Sequence, residues 1–212
     1  MEDTLQYNKI IEFGKYKALV IYPKKYNACA QYPVFIGFSG GNQNINNIDF
    51  FNEVYFNSTY LEKYIKVLPV TDNTFSYLEL TSQEIKDFVE AIKTKLNALG
   101  NGWIAAGTSN GGLVAFNFIS PNPKLFSGVL VMPGGIGENI ATEEWKHLVI
   151  ILAHGVKDSV DWKNHAEQTK EKLKNQVNYL AHIELAGAAH IIKRGYSLNH
   201  LYKQFFTEII KS

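Results

Sequence analysis

Cysteine occurs once in the 212 residues, at Cys29, so no intrachain disulfide can form and nothing argues for an oxidising compartment. Arginine is almost missing too: Arg194 stands alone among lysines. Bidentate clamps on phosphate or carboxylate favour the guanidinium fork, so that mode of recognition is not expected. Neither sign of charge dominates, and a formal net charge of +1 gives no reason to expect nucleic acid or an anionic membrane as partner. No apolar run approaches the length of a membrane span. The first residues, Met1-Glu2-Asp3-Thr4-Leu5-Gln6, show neither the basic nor the apolar region of a secretory leader, and the expected location is cytoplasmic. No histidine or carboxylate pair has metal-ligand spacing and there is no phosphate loop, so neither metal nor cofactor is expected. Linkers and repeats are also missing, which leaves one domain over residues 1–212.

What is present is an alternation of strand and helix patterns. Residues 10–13 and 18–22 read as a hairpin around Gly14, and 34–38 as a buried strand followed by Ser39-Gly40-Gly41. A helix over 49–60 and a strand over 65–70 come next. Thr81-Ser82-Gln83-Glu84 is a capping box, and Ile85, Phe88, Val89, Ile92 and Leu96 give the helix one apolar face, with Gly100 as its expected end. Strands over 128–132, 148–152 and 178–185 follow, with helices over 161–175 and at the C-terminus. Strands apolar throughout, alternating with amphipathic helices, predict an α/β fold with a mostly parallel sheet covered on both faces. Such sheets hold ligands at the carboxyl ends of their strands.

One segment carries chemistry. Gly107-Thr108-Ser109-Asn110-Gly111-Gly112 lies between the strand-like Trp103-Ile104-Ala105-Ala106 and an apolar stretch able to form a buried helix. A G-x-S-x-G between strand and helix is the nucleophile-elbow arrangement. The sharp turn strains the backbone at the serine and leaves no room for side chains at Gly107 and Gly111. The same pattern also occurs as a turn that merely packs a helix closely on a sheet, so the rest of the chain decides. Serine needs a base, and the base an orienting acid, in the order serine, acid, histidine. Asp158 follows the strand ending in His154-Gly155, 49 residues after Ser109; His190 follows the next strand, 32 residues further. Both intervals hold whole helices and strands. His165 and His200 fall on helices and His182 inside a strand, where packing roles are expected. Asp161 competes with Asp158 for the acid, or serves as the N-cap of the next helix.

With these residues the sequence resembles the α/β-hydrolase superfamily over nearly its whole length. It looks most like the small, lid-free carboxylesterases and acyl-protein thioesterases. The Gly107–Gly112 variant is also similar to polyhydroxybutyrate depolymerase and feruloyl esterase relatives. Pro123-Lys124-Leu125-Phe126-Ser127-Gly128-Val129 and His154-Gly155 resemble segments common there. The resemblance implies Ser109 as nucleophile, Asp158 as acid, His190 as base and His154 as a structural histidine. It implies an oxyanion hole from the amides of Gly41 and Asn110, although relatives carry His-Gly where this chain has Ser39-Gly40-Gly41. Gly40-Gly41 can also be a plain tight turn. Only 15 residues separate Met132 from Leu148, too few for a helical cap. An open site is therefore expected, lined by Phe75, Tyr77, Ile136, Val160 and Trp162, and acting on a small-molecule ester or thioester. An inactive hydrolase fold used as a scaffold, and a peptidase on the same fold, are the alternatives.

Overall fold

The computed structural model describes residues 8–73 and 75–212; the leader reading of the first six residues lies outside them. Eight strands form one sheet. They are β1 (Asn8–Phe13), β2 (Tyr16–Ile21), β3 (Val34–Phe38), β4 (Ile65–Val70), β5 (Trp103–Gly107), β6 (Phe126–Val131), β7 (Val149–Gly155) and β8 (Tyr179–Leu185). Their spatial order is β1-β2-β4-β3-β5-β6-β7-β8. The β1–β2 hairpin and the β2–β4 pairing are antiparallel, and every pairing from β4 to β8 is parallel. The central strands β3, β5 and β7 are buried at every residue, which is why they read as unbroken apolar runs.

Helices α1 (Ile48–Val54), α2 (Ser82–Leu96), α3 (Asn110–Ile119), α4 (Val160–Leu173) and α5 (Asn199–Lys211) cover the sheet. Two cores result. One joins the apolar faces of α2 and α3 to Val34, Ile36, Val129, Ile150 and Trp145. The other joins α1 and α5 to Phe35, Leu68, Ile104 and Ile151 on the opposite face. Among the described residues, no helix is long and apolar enough to cross a membrane.

The capping box forms as its residues predict. Thr81 Oγ1 accepts the Glu84 amide, and Glu84 accepts the Thr81 amide at 2.9 Å. Two expected helix ends shift by nearly a turn or more. Helix α2 ends at Leu96 rather than at Gly100, because Asn97 adopts the left-handed conformation (φ 46°) that closes a helix. The expected helix over 49–60 stops at Val54, and the chain re-enters as a short 3-10 turn, Thr59–Leu61, capped by Ser58.

Candidate active site

Four loops at the carboxyl ends of β3, β5, β7 and β8 meet at one place, and the elbow lies at its centre. Ser109 follows β5 with φ 57° and ψ −127°, a left-handed conformation that costs a non-glycine residue ~1–3 kcal/mol. The surrounding backbone holds it there. The Ser109 amide donates to Pro133 O at 2.8 Å, and the Thr108 amide to Phe38 O at 3.2 Å. Close approach explains the glycines: a Cβ at Gly107 would sit 2.1 Å from Gly111 O, and one at Gly111 2.2 Å from Phe38 O. Neither neighbour is a side chain that could turn aside, so α3 can lie this close to β3 and β5 only with glycine.

The hydroxyl so presented meets the expected partners. His190 Nε2 is 3.0 Å from Ser109 Oγ, and His190 Nδ1 is 3.0 Å from Asp158 Oδ1. Asp158 is buried, with its side chain fully covered, whereas the His190 ring remains about one-third exposed. Oδ1 of Asp158 also accepts the Ser159 amide at 2.7 Å, and Oδ2 is buried without a hydrogen-bond partner. The second acid candidate is elsewhere. Ser159, not Asp161, caps α4 by accepting the Trp162 amide, and Asp161 is an exposed first-turn residue. The N-cap expectation for Asp161 is thereby corrected: the cap falls two residues earlier, where the backbone is still extended.

The acid loop and the histidine loop are built as a unit. The Lys157 amide donates to Ala188 O at 2.9 Å, and the Val156 amide to Leu185 O at 3.1 Å. Gly155 has no side chain because Ala188 occupies the space, 2.5 Å from where its Cβ would be. Tyr55, which no sequence pattern singles out, anchors the far side of the histidine loop. Its hydroxyl accepts the Ile192 amide at 2.7 Å, while Tyr202 donates to Tyr55 O. Burial pushes the Tyr55 phenol up from its ordinary range. Beneath the acid loop, His154 Nδ1 lies 2.9 Å from His182 Nε2, and His182 Nδ1 lies 2.8 Å from Glu167. Burial, and then the neighbouring His182, hold His154 below the usual imidazole range, so its neutral form is favoured.

The loop after β3 contains a second unforeseen residue. Gln43 is fully buried with φ 55°, and its Nε2 donates to Ser39 O at 2.8 Å and Gly41 O at 3.2 Å. Thr71 fastens the next residue by donating to Asn42 O at 2.7 Å. Gly40 packs toward Ser109, 3.4 Å from its Cβ were a Cβ present, while Gly41 has φ 66° and open space beside it. As the first residue of α3, Asn110 has an amide without an intrahelical acceptor. Asn110 thus directly follows the serine, and Gly41 directly follows the glycine that packs toward it.

The five expected lining residues separate. Trp162 stacks on the His190 ring with centroids 5.4 Å apart. Val160 is exposed at the start of α4. Tyr77 is a correction: it is fully buried among Tyr16, Phe88 and Phe118, with its hydroxyl donating to Lys17 O, and offers no surface to a substrate. Ile136 is likewise taken into the core, its amide held by Thr169 Oγ1. Phe75 packs edge-on against Tyr16 and Tyr77 and borders clefts whose walls contain no triad residue. Among the described residues, no cluster of three or more potential metal ligands occurs.

No protein-family model matches the sequence, and no curated protein matches it. Solved structures are similar in shape. A thermostable esterase superposes with TM-score 0.67 at 17% identity, over 86% of this chain and 55% of its own. This chain thus spans about half the length of that protein. The acetyl xylan esterase from Aspergillus awamori gives TM-score 0.67 at 14% identity, over 95% of this chain and 99% of its own. A serine-to-alanine mutant of the feruloyl esterase module from Clostridium thermocellum, complexed with sinapinate, gives 0.65 at 16%, over 88% and 83%. Sheet order, crossover pattern and these superpositions together show that the chain has the α/β-hydrolase fold, with no separate cap among the described residues.

Proposed function

We propose that the protein hydrolyses carboxylic esters, and thioesters of similar size, through an acyl-enzyme. The observation that carries this reading is the continuous hydrogen-bonded chain from Ser109 through His190 to the buried Asp158, 3.0 Å at each step. In the first half-reaction Ser109 Oγ attacks the carbonyl carbon while His190 Nε2 takes its proton. The amides of Gly41 and Asn110 receive the negative oxygen. His190 then gives that proton to the departing alcohol or thiol as the carbon–heteroatom bond breaks. Water repeats the sequence on the acyl-serine: its proton goes to His190, its oxygen to the carbonyl carbon, and Ser109 leaves with the proton returned. Asp158 keeps its charge throughout and holds the imidazole with Nδ1–H toward itself. Three structurally similar proteins are esterases by name, which agrees with ester as the substrate class.

The environment favours short acyl groups. Among the described residues Trp162 is the aromatic ring stacked on His190, and Tyr77 and Ile136 are spent in the core. With little apolar wall to cover a chain, additional methylenes gain less than the ~0.8 kcal/mol each that full burial would give. The test is covalent labelling with a fluorophosphonate, beside a chain-length panel of p-nitrophenyl esters and matched thioesters. Labelling and turnover should both vanish in Ser109→Ala. A folded wild type that neither labels nor turns over any member of the panel would discard the reading.

A further inference from the structure

A second cleft, of about 580 Å³, opens at the opposite end of the sheet from Ser109. It lies where β2 finishes and β4 begins, beside the antiparallel pair Ile21 and Lys66. Three tyrosines form walls: Tyr22, Tyr32 and Tyr64. Two are held rigidly. Tyr26 is sandwiched between them, 4.5 Å from Tyr22 and 5.3 Å from Tyr32, and the Tyr32 hydroxyl accepts the Asn27 amide at 2.9 Å.

Four lysines, Lys24, Lys25, Lys63 and Lys66, line the same space, against one carboxylate, Glu62. Among the described residues none of the four lysines makes an ion pair. Lys66 is the unusual one. It lies in β4 between the apolar, buried Ile65 and Val67 and is itself half-buried. Its ammonium donates to Asn52 Oδ1 at 2.8 Å and Phe56 O at 3.2 Å, both neutral acceptors. Burial lowers its pKa to about 8, as expected of a cation without a counter-charge. Two neutral hydrogen bonds offset part of the desolvation cost; an anion seated in the cleft would offset much more.

We infer that this cleft binds a small molecule consisting of a flat ring that bears one anionic group, a carboxylate or a phosphate. The anionic group sits toward Lys66, with Lys24, Lys25 and Lys63 around it, and the ring lies against the tyrosines. The arrangement is independent of Ser109 and leaves the triad free.

Calorimetric titration of the whole protein with benzoate, phenyl phosphate and neutral benzyl alcohol tests this, with the Lys66 ¹³Cε resonance followed through a pH series. Either anion should bind at least about tenfold more tightly than benzyl alcohol, and the tighter of the two identifies the group. The bound anion should move the Lys66 titration upward. Lys66→Met should weaken binding about tenfold or more. The double variant Lys24→Ser/Lys25→Ser, on exposed turn residues that the fold does not need, should weaken it severalfold. The inference is overturned if benzyl alcohol binds as well as the anions, or if neither anion binds at millimolar concentration. It is equally overturned if binding leaves the Lys66 titration unmoved and is unaffected in the double variant.

Discussion

Replacing Asp158 by asparagine separates two jobs that one side chain performs. Oδ1 of Asp158 accepts from both the Ser159 amide and the His190 ring, and an asparagine oxygen at the same place can accept both. The fold is therefore retained. The amide nitrogen then falls where Oδ2 now lies, a buried position with no hydrogen-bond partner. An unsatisfied buried donor costs ~1–3 kcal/mol, and for a chain of this size each kcal/mol lowers Tm by ~2–4 °C. A Tm drop of several degrees is expected, with the native circular dichroism spectrum kept.

Turnover should fall far more. In the proposed mechanism His190 becomes an imidazolium in each half-reaction, and among the described residues the carboxylate in contact with its Nδ1 is Asp158, whose side chain is shielded from water. Removing that charge in the serine-protease precedent costs ~10⁴ in kcat, or ~5.4 kcal/mol of barrier. The assay is steady-state hydrolysis of p-nitrophenyl acetate with Tm measured on the same samples. Asp161→Ala, an exposed first-turn change, should leave kcat within about twofold and cost ~0.3–1 kcal/mol through the helix dipole. A fall in kcat below about tenfold for Asp158→Asn, with the larger loss at Asp161, would refute the assignment of the acid.

Tyr55→Phe removes the acceptor of the Ile192 amide and should cost ~1–3 kcal/mol in denaturant melts. It should also lower kcat by loosening the histidine loop, and an unchanged kcat would show that the loop needs no such anchor. Gln43→Ala should lower kcat by ~10²–10³ if it frees an oxyanion donor, with KM little changed; a change confined to KM would contradict that role. For Lys66, the unfolded chain keeps its proton to about 10.5 and the native protein only to about 8. Between these values the unfolded state binds more protons, so stability should rise with pH by up to ~3 kcal/mol across that window. The rise should be missing in Lys66→Met. His154 follows the same sign at lower pH: its depressed pKa means stability should fall as pH drops below the ordinary imidazole value of 6.5. His154→Asn should flatten that fall.

The strands and the hydrogen-bonded cluster of Ser109, His190 and Asp158 are legible in the sequence for connected physical reasons. The buried strands β3, β5 and β7 cannot tolerate polar residues, so their runs are unbroken; the residues after them must then supply the chemistry. Ser109 and Asp158 stand just past two such runs, β5 and β7, while His190 follows β8, a half-buried edge strand that carries His182 and Glu184, so strand ends and chain order together point to the three residues. What was not legible depends on partners distant in sequence. Tyr55 lies 137 residues from Ile192, the residue whose amide it accepts, and nothing around it distinguishes it from its neighbouring aromatics. The burial of Tyr77 was equally hidden. A tyrosine in a loop after a sheet strand suggests a wall of the site, but its hydroxyl finds Lys17 O on β2, and that satisfied polar end lets the ring enter the core. The end of α2 falls before Gly100 because Asn97 takes the left-handed conformation ordinarily assigned to glycine.

Gln43 shows how a loop can depart from its relatives in sequence and still be held. The resemblance implies a histidine packing this turn, and the chain has Ser39 there instead. The amide of Gln43 binds the carbonyls of Ser39 and Gly41, the peptides on either side of the Gly40–Gly41 unit. In a trans peptide the N–H opposes the C=O, so fixing both flanking carbonyls restrains the rotation of the peptide between them. That middle peptide carries the Gly41 amide. The positive φ of Gly41 and of Gln43 lets the chain curl tightly enough for one side chain to reach both carbonyls. Thr71 then ties Asn42 to the end of β4, so the turn is braced from the sheet as well as from within. A donor held this way is oriented before any substrate arrives, which is the condition under which a backbone amide stabilises developing charge most strongly.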